Sequence, residues 1–140
     1  MNGGRHVIVV DDQADIRDLA VMVLAGAGYR VSAAADGAEA LDRLHADPAD
    51  LVLLDINMPG MDGWETLRLI RADDELAGVP VVMFSIKNEF RDKVHGMQEG
   101  ALDYITKPFE VDELVERVRR IFESIDSGAA ADRPAPHPVP

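Results

Sequence analysis

Asp11, Asp12, Asp55, Ser85 and Lys107 share one circumstance: each stands at or just past the end of a short apolar run, in "HVIVVDD", "LVLLD", "VVMFS" and "LDYITK". If those runs are neighbouring strands, three carboxylates, a hydroxyl and an ammonium meet at one rim. Carboxylates held together repel one another, so one of them is protonated or a cation sits among them. Mg²⁺ suits the second case, because it takes oxygen ligands, keeps several waters and commonly completes its shell with carboxylate and phosphate oxygens. A lysine and a hydroxyl beside such a cation point to phosphoryl chemistry, which is mostly positioning and neutralisation of the equatorial oxygens. The nucleophile is then the carboxylate with an oxygen free toward the pocket, forming an acyl phosphate. Asp55, alone on its strand, is the candidate.

Taken singly, each residue has an ordinary reading. An Asp after a strand is commonly a helix N-cap, which suits Asp12 before "QADIRDLA". Ser85 before "IKNEF" reads as a loop hydroxyl, and Lys107 before "PF" as a solvated lysine. Only the joint arrangement argues for a site.

The elements that must position these residues are legible as alternating short and long patterns. His6–Val10, Arg30–Ala34, Leu51–Leu54, Pro80–Phe84 and Leu102–Ile105 are short, rich in Val, Leu and Ile, and read as buried strands. Between them, apolar residues recur at helical spacing: Ile16, Leu19, Val23 and Ala27; Leu41 and Leu44; Trp64, Leu67 and Ile70; Phe90, Val94 and Met97. A last helix carries Val111, Leu114, Val115, Val118, Ile121 and Phe122 at the i, i+3, i+4, i+7 pattern. Strict β/α alternation builds an α/β fold with a parallel sheet and helices on both faces. Strand order is not readable from periodicity. Ligands of such folds bind beyond the carboxyl ends of the strands, where all five polar residues fall.

Whole-chain properties narrow the classes. The 140 residues suit one domain, expected over residues 4–125, with a flexible Pro/Ala-rich tail or linker over 126–140 ending "RPAPHPVP". With 14 Lys and Arg against 26 Asp and Glu the formal charge is −12, so neither nucleic acid nor a membrane surface is expected as a direct partner. The absence of cysteine excludes disulfides and thiolate metal sites. No apolar run approaches the length of a membrane span and the start lacks a signal-peptide pattern, so the cytoplasm is the expected compartment.

The motifs "VVDD" at 9–12, "LLDINMPGMDG" at 53–63, "FS" at 84–85 and "DYITKPF" at 103–109 closely resemble, in order and spacing, those of the receiver domain of bacterial response regulators. The resemblance covers essentially the whole folded unit. It implies a flavodoxin-like (βα)5 three-layer sandwich with a five-stranded parallel sheet in the order 2-1-3-4-5. It implies that Asp55 accepts a phosphoryl group from a sensor histidine kinase or a histidine phosphotransfer protein, with slow autodephosphorylation and no true enzymatic turnover. Asp12, Asp55 and the backbone carbonyl of Asn57 would bind Mg²⁺, with Mn²⁺ as a substitute, and Asp11 would act mostly through water. Lys107 would pair with a phosphoryl oxygen, and its bond to Pro108 would be cis. Ser85 and Tyr104 resemble the family's switch pair, which a new dianion biases. The output would be a changed surface around the fourth helix, fifth strand and fifth helix, read by a downstream protein effector. The chain would be a monomer or a weak phosphorylation-dependent dimer.

Some residues depart from the family's pattern or add to it. Ile86 stands where the family usually has a small residue, and one reading is that its bulk modulates access of phosphodonor or water to Asp55; the other is that it points away and changes nothing. Gly96, inside the helix read over 88–100, costs on the order of 1 kcal/mol relative to Ala, which eases a shift of that helix or only permits close packing. His6, His45, His95 and His137 are scattered and read as incidental. Met58 and Met61 read as packing over the site, and a polarizable Met surface can also serve a partner. The run "AVMVLA" at 20–25 marks either a docking surface or a helix covered by its neighbours. Two other functions compete. A Mg²⁺-dependent phosphohydrolase of the haloacid dehalogenase type wants an aspartate two residues after the nucleophile, and that position is Asn57. A phosphorylation-independent interaction module is opposed by the complete set Asp11, Asp12, Asp55, Ser85 and Lys107.

Overall fold

Alternation along each strand decides which helix covers which residue. The computed structural model describes residues 4–85, 98 and 100–128. Five parallel strands, β1 (His6–Val10), β2 (Arg30–Ala34), β3 (Leu51–Asp55), β4 (Val81–Ser85) and β5 (Asp103–Thr106), form one sheet in the order β2-β1-β3-β4-β5. Four helices accompany them among the described residues: α1 (Ala14–Gly26), α2 (Gly37–Ala46), α3 (Gly63–Ala72) and α4 (Val111–Asp126).

One face of the sheet presents Val7, Val9, Leu51, Leu53, Val82, Phe84 and Ile105 to Ala20 and Leu24 of α1 and to Leu114, Val118, Ile121 and Phe122 of α4. The other presents Ile8, Val10, Val52, Leu54, Val81, Met83 and Tyr104 to Ala40 and Leu44 of α2 and to Leu67 and Ile70 of α3. β1 and β3 lie inside the sheet with both faces covered, which is why every residue of each is buried and why they read as unbroken apolar runs. Each fully buried Leu, Val or Ile contributes about 1.5–3 kcal/mol. The flavodoxin-like order expected from the resemblance is the order observed.

The strand ends sit one residue later than expected in three cases. β3 includes Asp55, β4 runs Val81–Ser85, and β5 runs Asp103–Thr106. Ladder pairing carries on through polar positions, with Asp55 opposite Phe84 and Ser85 opposite Thr106, whereas hydrophobicity stops one residue sooner. Asp12 does not cap α1; the cap position is Gln13, without a side-chain hydrogen bond. The buried face of α1 is Ala20 and Leu24, while Leu19 is 39% and Met22 66% exposed. α1 is apolar around much of its circumference, so spacing alone could not choose the inward face. Residues 129–140 of the expected tail lie outside the described residues, as does the helix read over 88–100, including Gly96, apart from residues 98 and 100. None of the described helices is long and apolar enough to cross a membrane.

A half-buried cation ties the α3–β4 corner to the start of β5. Arg71 of α3 donates to the carbonyls of Ala77 at 3.0 Å and Val79 at 2.7 Å through one nitrogen, and to Gly100 at 2.8 Å through the other. Arg71→Met keeps the stem and orphans three carbonyls, so we expect a loss of about 2–3 kcal/mol in urea unfolding.

Candidate functional site

Strand alternation continues the row Leu51, Leu53 into Asp55, and the rows of β1 and β5 into Asp11 and Lys107. The three side chains meet there. Lys107 Nζ lies 2.7 Å from Asp11 Oδ2 and 3.5 Å from Asp55 Oδ1. All three are buried: Asp11 is 0%, Lys107 3% and Asp55 4% exposed. The ammonium also stands 5.0 Å over the Phe84 ring, an aromatic face that favours a cation. Asp11 is held from every side. Its N–H donates to the Ala34 carbonyl at 3.1 Å, its Oδ1 accepts from the Gln13 N–H at 2.9 Å, and its carbonyl accepts from Arg17 Nη1 at 2.8 Å. Asp12, next in the chain, is exposed.

The loop after β3 is folded back by its own backbone. The Gly63 N–H donates to the Ile56 carbonyl at 2.8 Å, and Asp62 caps α3 by accepting from the Glu65 N–H at 2.9 Å. Gly60 has φ +72°, the left-handed region that glycine enters at little cost. At Gly63 the reason for glycine is space: a Cβ there would overlap the Asp55 carbonyl oxygen and lie 2.7 Å from Ile56 Cα. Met58 is buried in the α2/α3 core, and the Met61 sulfur packs against Gly37 at the start of α2. The Asn57 N–H reaches Asp55 Oδ1 at 3.3 Å. The Lys107–Pro108 bond is cis, as the resemblance implies.

Burial pushes the Asp55 carboxyl up to about 6; Lys107 opposes that rise, Asp11 adds to it, and the Asn57 N–H lowers it. Carboxylate oxygens of Asp11, Asp12 and Asp55 lie within 4.8 Å of one another, so the expected acidic cluster is assembled. Its donors are all oxygen, half open to solvent through Asp12, and carry three negative charges against one ammonium. That set fits Mg²⁺ or Mn²⁺ and does not favour a softer ion. Tyr104 is 8% exposed and packed with Met83 in the α2/α3 core, on the opposite sheet face from Lys107. Ser85 ends β4 by its backbone, but its side chain lies outside what is described, and so does Ile86.

Three polar groups escaped the spacing of the sequence. His45 does not stand apart: its Nε2 lies 2.8 Å from Asp73 Oδ2 and its Nδ1 3.0 Å from Glu75 Oε2, and these two carboxylates, Glu75 first, raise its pKa. No local pattern shows a contact across 30 residues of chain. His6 is buried, bonded to the Pro48 carbonyl at 2.9 Å and to the Ser32 hydroxyl, and serves the fold. Arg17, which no motif marks, reaches the site through the Asp11 carbonyl.

A family model described as the response regulator receiver domain matches residues 7–119. The chain belongs to that family. This receiver domain is 44% identical over 115 residues to the DNA-binding response regulator MtrA of Mycobacterium tuberculosis, which covers 82% of this chain and 49% of that protein. The Mycobacterium leprae protein of the same name matches at 44% over 115 residues, covering 82% and 50%. The receiver domain therefore spans about half the length of these curated relatives. Among solved structures it is similar to the chemotaxis protein CheY4 of Vibrio cholerae, with a TM-score of 0.80 and 32% identity over 84% of this chain and 98% of that one. It is also similar to the receiver domain of NtrX from Brucella abortus, with a TM-score of 0.77 and 35% identity over 84% and 98%. Receiver domains of two-component systems are signalling proteins, not typical enzymes.

Proposed function

We propose that Asp55 takes a phosphoryl group from a phosphohistidine and that the receiver domain relays this event through a changed protein-binding surface. The observation that carries the reading is the buried Lys107 ammonium shared between Asp11 and Asp55, at 2.7 and 3.5 Å. An Asp55 oxygen attacks phosphorus, the O–P bond forms as the P–N bond breaks, and the electron pair leaves on the imidazole nitrogen, which takes a proton from solvent. Lys107 turns from Asp11 to an oxygen of the transferred group. The Asn57 N–H, already at the Asp55 carboxylate, donates on the open side. Asp12, Asp55 and the Asn57 carbonyl would hold Mg²⁺, with Asp11 acting through water; when bound, the cation supplies neutralisation of the phosphoryl oxygens.

Ser85 and Tyr104 form the switch pair in this reading. The new dianion recruits the hydroxyl, and Tyr104, packed inward beside Met83, fills the space behind β4. The receiver domain works in the cytoplasm, its donor is a sensor histidine kinase or a histidine phosphotransfer protein, and its reader is a protein effector. Neither nucleic acid nor membrane is bound by this chain, and Ile86 tunes access to Asp55. The receiver domain is a monomer or a weak phosphorylation-dependent dimer over residues 4–125, with 126–140 as a tail or linker.

Beryllofluoride with Mg²⁺ mimics the acyl phosphate. Adding both to the ¹⁵N-labelled chain is expected to shift the amides of Gln13, Asn57 and Tyr104. Unmoved spectra would favour an interaction module that works without phosphorylation.

A further inference from the structure

The position of Asp11 matters to a phosphoacceptor site even though Asp55 carries the chemistry. Its carboxylate holds Lys107 before transfer and belongs to the acidic cluster afterwards. Four contacts fix it: the Asp11 N–H on Ala34, the Gln13 N–H on Oδ1, Lys107 on Oδ2, and Arg17 on the carbonyl oxygen. In two of these the partner is a main-chain group, the Ala34 carbonyl and the Gln13 N–H. Lys107 belongs to the site, so Arg17 is the one side chain among the described residues that anchors Asp11 from outside it.

Arg17 is well placed for this. Its own N–H makes the first turn of α1 by donating to the Gln13 carbonyl at 2.9 Å, while its side chain reaches back over that turn to Asp11. The cap residue Gln13 makes no side-chain bond to the helix. The loop carrying Asp11 and Asp12 is thus closed onto α1 by a guanidinium rather than by a capping carboxylate or hydroxyl.

We propose that Arg17 is a positioning residue of the phosphoacceptor site, holding the main chain of Asp11 so that its carboxylate keeps its place when Lys107 leaves it for the phosphoryl group on Asp55. The proposal rests on the phosphoacceptor reading. It differs in sign from a simple charge effect. A nearby cation disfavours a second cation among the carboxylates, so removing Arg17 would tighten Mg²⁺ binding if charge were its whole role. Removing a residue that orients the cluster weakens binding instead.

The test uses the ¹⁵N-labelled full chain, wild type, Arg17→Met and Arg17→Lys. Mg²⁺ is titrated with and without beryllofluoride while the Gln13 and Asn57 amides are followed, because each donates to a carboxylate of the cluster. Arg17→Met is expected to raise the Mg²⁺ midpoint about tenfold in the presence of beryllofluoride, where Lys107 has left Asp11. Arg17→Lys, which keeps a donor and the charge, should return most of that loss and remains informative if the Met variant does not fold. A midpoint unchanged or lowered in Arg17→Met overturns the proposal. So does a lowered thermal midpoint with an unaltered titration, which would mark Arg17 as a fold contact only, or an Arg17→Lys variant no better than the Met variant. If wild type itself shows no response to Mg²⁺ and beryllofluoride, the phosphoacceptor reading falls and this proposal with it.

Discussion

Asp55→Asn is expected to abolish phosphoryl uptake and, at pH 7 without Mg²⁺, to make the fold more stable by about 1–2 kcal/mol. The two effects have one cause. Burial of the carboxyl, with Asp11 adding to it, raises Asp55 from an ordinary 3.8 to about 6, and Lys107 recovers only part of the difference. The folded protein therefore keeps the Asp55 proton to higher pH than the unfolded chain does. Stability is lost as pH rises from the ordinary aspartate range through about 6, and stays lost above it. Asn carries no charge and escapes that penalty. Urea unfolding of both proteins at pH 4, 5, 6 and 7.5 checks this, with the curves meeting at the acid end. Mg²⁺ should narrow the gap at pH 7.5, because a cation in the cluster favours the ionised carboxylate that Asn lacks. A wild type as stable as Asp55→Asn at every pH would show that Lys107 alone balances the carboxylate. Phosphotransfer from a loaded kinase, followed by radiolabel, reads the other half.

Gly63→Ala should cost more than any other methyl addition near the site, about 3 kcal/mol or more, and should loosen the loop that carries Asn57. The methyl would meet main chain, with the Asp55 carbonyl oxygen overlapped, Ile56 Cα at 2.7 Å and the Asp55 carbonyl carbon at 3.0 Å. Main chain at the end of a central strand cannot swing aside as a side chain can. The bond from the Gly63 N–H to the Ile56 carbonyl, which folds the loop back, is the contact that would break. Gly60→Ala is the internal comparison: nothing lies within 4 Å of its Cβ position, and only its φ of +72° resists substitution. That costs about 1 kcal/mol. Thermal unfolding ranks the two variants, and a Gly63→Ala protein no less stable than Gly60→Ala would contradict the packing argument.

Much of this protein is legible from one dimension, because its signals are periodic or local. Unbroken apolar runs mark β1 and β3 as strands covered on both faces. The spacing of Leu114, Val118, Ile121 and Phe122 marks the inward face of α4. "MDG" before Trp64 contains both the Asp62 cap and the glycine that the backbone requires. The motifs around Asp11, Asp55 and Lys107 carried, by resemblance, the strand order that periodicity cannot supply.

Only the folded chain could decide what depends on contacts between distant residues. Strand ends moved by one residue because backbone pairing continues past the last apolar side chain. The inward face of α1 was settled by the sheet, which took Ala20 and Leu24 and left Met22 in solvent. Of the adjacent pair, Asp11 is buried against Lys107 and Asp12 is exposed at the rim of the same cluster, an asymmetry that two identical letters cannot encode. His45 met Asp73 and Glu75 only because α2 ends beside the α3–β4 corner. Arg17 joined the site through a backbone carbonyl, a bond with no sequence signature since every residue has the acceptor. What the sequence by itself determined here is the kind of residue at each strand end; which of them touch, and which face water, was decided by the tertiary packing, since charge and hydrogen bonding act across space and not along the chain.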